Sequence, residues 1–189
     1  MRRAAIFGLT LALLGLGCED TNQNPFIVRV SDINNGGSAL LADVLNIDEQ
    51  GVITVPTELV PVVLTNRPYS GSIVTDPGTL WYDFQVKRYS VRWRFIGPAI
   101  PGLDLTQFDH VQDTSLLVPF DGEATLFALL VPVSMKTTSP FVDLPMTGGA
   151  IALTADIDLV GAPTLDIDNE MHLAVSLSVS FADYADEQQ

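Results

Sequence analysis

Leu173-Ala174-Val175-Ser176-Leu177-Ser178-Val179-Ser180-Phe181-Ala182 alternates large apolar side chains with small ones along its whole length. Successive side chains of an extended chain point to opposite faces. This spacing therefore puts Leu173, Val175, Leu177, Val179 and Phe181 on one face and the alanines and serines on the other. A helix would scatter the same residues around its axis. The stretch reads as a strand with one buried face.

Working outward, Ile151, Leu153, Ala155, Ile157 and Leu159 alternate with Ala152, Thr154, Asp156 and Asp158. Tyr89, Val91, Trp93 and Phe95 alternate with Ser90, Arg92 and Arg94, while Phe84 and Val86 fall on the opposite parity. A change of parity inside one strand requires an extra residue, so a β-bulge is expected near Lys87 and Arg88. Residues 124–135 are apolar on both parities, the pattern of a strand covered on both faces. Further strands are expected at 26–33, 39–47, 52–55, 59–65 and 116–120. Asn34-Asn35-Gly36-Gly37, Asp76-Pro77-Gly78, Asp121-Gly122 and Gly148-Gly149 supply turns between them. Pro61 and Pro132 interrupt apolar runs, which places an edge or a bulge there. No long stretch carries a capped helical period. Eight or nine short strands with one-sided alternation predict an all-β chain folded as an antiparallel β-sandwich, immunoglobulin-like or related. A closed barrel is the second architecture. The outward Ser, Arg and Asp side chains argue against a membrane barrel with an apolar belt.

The amino end has a different build. Arg2 and Arg3 precede an uncharged, mostly apolar run at 4–16. As a helix that run is roughly 20 Å long, short of the ~30 Å hydrocarbon core, and it has the three-part form of an export signal. Leu14-Gly15-Leu16-Gly17-Cys18 resembles the lipobox of bacterial lipoproteins, although Gly15 stands where the usual pattern has leucine. The resemblance covers only the first 18 residues and implies cleavage before Cys18 with a lipid on its thiol. Gly15 and Gly17 also satisfy ordinary signal cleavage, and both routes lead out of the cytoplasm. Cys18 is the only cysteine, so the chain holds no internal disulfide and no cysteine-based zinc cluster. The expected organisation is a signal at 1–17, a lipidated cysteine with a polar tether at 18–25, one sandwich domain at 26–184 and an acidic tail at 185–189. As a flexible coil the tether spans about 15 Å.

Nine basic residues face 23 acidic ones, giving a formal charge of −14, and loss of Arg2 and Arg3 with the signal makes it more negative. Such a chain is repelled by nucleic acid and by anionic lipid, so neither is an expected partner and attachment to a membrane falls to the lipid. Lys87, Arg88, Arg92 and Arg94 are four of the nine basic residues. Arg92 and Arg94, with Arg88 nearby, form a candidate contact for an anion or an acidic partner; the alternative is pairing with Asp156 and Asp158 across strands. Tyr69, Trp81, Tyr82, Phe108 and Phe141 lie in or beside long connections at 65–81, 97–114 and 136–149. They are candidate partner contacts or, alternatively, caps on the ends of the core.

No catalytic motif and no phosphate loop occurs. His110, between Asp109 and Asp113, is the candidate general base of a hydrolase. Asp166, Asp168 and Glu170 are oxygen ligands in search of calcium, without the glycine and glutamate spacing of an EF-hand. No other cofactor is expected. The leading expectation is a non-catalytic binding or structural module of the cell envelope, tethered through Cys18 and contacting an envelope protein.

Overall fold

A computed structural model describes residues 26–47, 50–69 and 82–184. Ten strands occur among them: β1 (Phe26–Ile33), β2 (Ala39–Asp43), β3 (Asn46–Ile47), β4 (Ile53–Thr54), β5 (Glu58–Pro68), β6 (Phe84–Phe95), β7 (His110–Val118), β8 (Gly122–Val131), β9 (Ile151–Pro163) and β10 (Met171–Ala182). They form a five-stranded sheet in the order β2-β10-β9-β6-β7, a three-stranded sheet β1-β5-β8 and the small ribbon β3-β4. The two large sheets stack over one apolar core in an all-β, sandwich-like fold. Every described pairing is antiparallel except β2 with β10, which is parallel, so the antiparallel expectation is corrected at that edge.

The alternation in β9 and β10 decides what is inside. Leu153, Ala155, Ile157 and Leu159 are buried from β9, and Leu177, Val179 and Phe181 from β10. In β6 the register against both neighbours shifts between Val86 and Arg88, at the expected bulge. Phe84 and Val86 are buried before it, Tyr89, Val91 and Trp93 after it. Gly161 of β9 lies opposite Val86. A Cβ there would come within 2.6 Å of the Phe84 ring and 2.5 Å of the Gln85 carbonyl oxygen, so no larger residue fits against the bulge.

Several boundaries differ from the sequence pattern. The apolar run at 124–135 ends as a strand at Val131, and Pro132 caps the short helix α1 (Val133–Lys136). The run is also not covered on both faces: Leu126, Ala128 and Leu130 are buried, whereas Phe127 is 65 % exposed. The run expected at 39–47 breaks into β2 and β3. β7 begins at His110, inside what reads as a long connection. Pro61 belongs to the central strand of its sheet, but β1 pairs with β5 only from Val62 onward. At Pro61 only β8 lies alongside, so the missing N–H costs no ladder bond on the β1 side.

The seam between the sheets is closed by side chains. The Leu129 N–H of β8 donates to Tyr89 Oη (2.8 Å), and the tyrosine hydroxyl donates to Gln112 Oε1 (2.6 Å). Elsewhere Lys136, 1 % exposed, donates from Nζ to Glu58 Oε1 (2.7 Å) and to the Asp43 carbonyl (2.6 Å). That buried ammonium ties α1 to the start of β5 and the end of β2. Among the described residues no helix is long and apolar enough to cross a membrane.

Candidate functional site

The basic stripe lies on the outward face of the five-stranded sheet. The β6–β9 register sets Arg92 opposite Asp156 and Arg94 opposite Thr154. The guanidinium of Arg94 reaches diagonally to Asp156 and grips both carboxylate oxygens, with Nη2 to Oδ1 at 2.8 Å. Ser176 of β10 donates to the same carboxylate at 2.6 Å. The Arg94 hydrogen bond holds the Asp156 carboxyl below the usual range against the opposing effect of partial burial, and Ser176 adds to it. The same contact raises Arg94 further above its ordinary value. Asp158 accepts from His172 Nδ1 at 2.8 Å if that nitrogen carries the proton. Arg88 and Lys87 both face Glu170, at 3.3 and 3.7 Å. Cross-strand pairing therefore takes up Arg94, and Glu170 on the connection between β9 and β10 takes up Arg88 and Lys87. Arg92 is exposed and makes no hydrogen bond or ion pair among the described residues. It borders a shallow depression of about 350 Å³ lined by Ser90, Asp156, Asp158, Ala174 and Ser176. Of the candidate anion contacts, Arg92 alone has a guanidinium with no partner among the described residues.

The aromatic candidates divide. Phe108 and Phe141 are buried, packed edge-to-face with centroids 5.9 Å apart, and Phe141 packs at a tilt against Phe181. This corrects their reading as partner contacts: a 3₁₀ turn at Leu105–Phe108 and another at Phe141–Asp143 fold the connections back over the core. The first turn is capped by Asp104, which accepts from the Thr106 hydroxyl and N–H; these bonds lower its pKa. Tyr82 is half-buried between Phe26 and Phe120. Tyr69 is 48 % exposed, and Trp81 lies outside the described residues, as does Cys18.

His110 is engaged with backbone. Its Nδ1 lies 3.1 Å from the Phe108 carbonyl oxygen and its Nε2 2.9 Å from that of Leu129. A neutral imidazole has one N–H and donates to one of the two. Asp109 accepts the Trp93 N–H at 3.0 Å, so the carboxylate braces β6 instead of orienting the ring. Gln107, His110, Gln112 and Ser134 border a second open depression of about 350 Å³. The three acids considered for calcium lie on the β9–β10 connection, where Glu170 is held by Arg88. Among the described residues no three His, Cys, Asp or Glu side chains are grouped to hold a metal ion. Comparisons with protein-family models, with curated proteins and with solved structures found no match.

Proposed function

We propose that the chain is an exported lipoprotein whose β-domain is a non-catalytic binding or structural module, held at a membrane surface by lipid on Cys18. The observation that carries this reading is the placement of the only cysteine directly after Arg2, Arg3 and the apolar run at 4–16, and shortly before Phe26, the first strand residue among those described. Acylation gives that thiol a chemical role, where an exported chain with one free cysteine would be open to unwanted pairing. The acidic domain is repelled by anionic lipid, so attachment falls to the acyl chains. The partner class is a protein of the envelope, and Arg92 and Tyr69 are the exposed contacts left among those singled out by sequence.

The test is expression in a bacterium that processes lipoproteins, followed by mass measurement of the mature amino terminus and flotation with membranes. An acylated Cys18 that floats, and a Cys18→Ala chain that does not, are expected. An unmodified native chain in the cytosol overturns the reading. Crosslinking in intact cells then asks for the partner, and an unchanged captured set with Arg92→Glu removes Arg92 from the contact.

A further inference from the structure

The three-stranded sheet has an outward face that the fold leaves bare. Leu59 pairs with Leu129, Pro61 with Phe127, and Val63 with Thr125, so their side chains share one surface. Leu59 is 59 % and Phe127 65 % exposed, while Pro61 and Val63 are half-buried. At the opposite end of the sheet the edge strand β1 contributes Ile27, 47 % exposed, and Arg29, which makes no hydrogen bond or ion pair among the described residues. Arg67, also on this face, pairs with Asp121 at 2.9 Å. Arg29 and Arg67 thus border the apolar surface, with exposed Glu123 of β8 in the same row as Arg29.

We propose that this face lies on the lipid surface to which Cys18 is anchored; the inference rests on that anchoring. Three observations select lipid as the occupant. First, the described chain starts at Phe26, on the edge strand of this very sheet, and Ile27 and Arg29 project from its outward side. Second, eight residue steps separate Phe26 from Cys18, and fully extended they reach at most roughly 29 Å. The Phe26 end of the sheet is held within that distance of the bilayer. From the Phe26 row to the Phe127 row is seven residues along β5, about 23 Å. A sheet lying flat under so short a leash brings both ends of the face to the interface. Third, the chemistry suits the headgroup boundary. Aliphatic and aromatic side chains enter it, and arginine stems lie along it with their heads in water. The outward face of the five-stranded sheet, with Asp156, Asp158 and its serines, then looks away from the lipid and towards partners.

The experiment uses the acylated full chain in phosphatidylcholine vesicles, with one cysteine introduced for a nitroxide label. Because the lipid occupies the Cys18 thiol, the new cysteine is the only free one. Thr125→Cys places the label on the proposed face, and Ala174→Cys places it on the outward face of β10. Power-saturation measurements compare collisions with oxygen, which concentrates in lipid, against those with a water-soluble nickel chelate. The expected result is an oxygen-to-nickel ratio several-fold higher at 125 than at 174, falling to the value at 174 when Leu59→Ser and Phe127→Ser are added. Equal nickel access at both positions in protein that floats with the vesicles overturns the proposal and leaves the anchor standing. A label at 125 that is immobilised and shielded from both reagents indicates a second protein surface, and overturns it too. Protein that fails to float overturns the anchor and this inference together.

Discussion

The two sheets bury their inner faces in the same core, and their outer faces differ in where apolar side chains stand: Leu41, Val111 and Leu117 of the five-stranded sheet are exposed on its edge strands, whereas Leu59 of the three-stranded sheet is exposed on its central strand. On the five-stranded sheet Arg94, Asp156 and Ser176 satisfy one another across three strands, and His172 meets Asp158. On the three-stranded sheet Leu59 and Phe127 stand in water. An outward polar ladder is complete without a partner. Each large apolar side chain left outside forgoes about 1.5–3 kcal/mol that burial would give. A sandwich needs only one apolar face per sheet, so a second one answers to something other than folding.

The comparison is most sharply broken within β8, where Leu130 points in and Phe127 points out. Leu130 is fully buried, so Leu130→Ala is expected to cost about 2–5 kcal/mol through lost contacts and a residual cavity. Urea unfolding measures it, and a cost below about 0.5 kcal/mol, the range of surface changes, means that β8 is turned the other way.

Next in size is the seam between the sheets. Tyr89→Phe leaves the Leu129 N–H without its acceptor and Gln112 without its donor, an expected loss of about 1–3 kcal/mol. Burial pushes the Tyr89 hydroxyl above its ordinary pKa. The folded state thus keeps a proton that the unfolded chain releases. This contribution is whole below about pH 10 and is lost as pH rises past it. Stability of the parent should fall more steeply above that pH than stability of Tyr89→Phe, as followed by denaturant midpoints across the alkaline range.

The polar outer face comes third. Arg94 lowers the Asp156 pKa, so the pair contributes fully above the ordinary aspartate value near ~4 and loses its contribution as pH falls below it. With side chains 62 % and 34 % exposed, solvent screening holds Asp156→Asn to about 0.2–1 kcal/mol at neutral pH. Acid unfolding of the variant should begin at the same pH or slightly higher, with a shallower slope. An unchanged slope would place the pH sensitivity on other carboxylates.

How much of this was legible in the sequence follows from the same contrast. β9 and β10 alternate cleanly because one side of each is polar, and the bulge in β6 shows as a parity change between Val86 and Tyr89. β8 carries no such signature: apolar side chains on both parities look the same whether a second layer covers them or nothing does. The parallel pairing of β2 with β10 is invisible, since pairing direction leaves no periodic trace in a five-residue strand. Arg94 with Asp156 was open to prediction from strand spacing, but only the register decides that Arg94 binds and Arg92 is left free. For Phe108 and Phe141 the sequence offers partner contact and core cap alike, because the short 3₁₀ turns that carry them into the core have no lasting period. Lys136 directly follows Met135 at the end of an apolar run, a position where a lysine meets a carboxylate only if a distant strand brings one, as β5 brings Glu58.

The smallest expected effect is the most telling. Phe127→Ser removes a large ring from a position 65 % exposed, so the domain's unfolding free energy should move by no more than about 0.5 kcal/mol. The same substitution at Phe181, fully buried on the inward face of β10, removes core packing and is expected to be far more costly. A near-zero change at Phe127, measured by urea unfolding of the delipidated domain, means that the ring does nothing for the fold, and its presence must be explained by what lies outside it. A cost of about 2 kcal/mol or more, the scale of a core deletion, would show that the ring is held within the domain after all. The apolar outer face would then be part of the fold and would need no lipid to account for it.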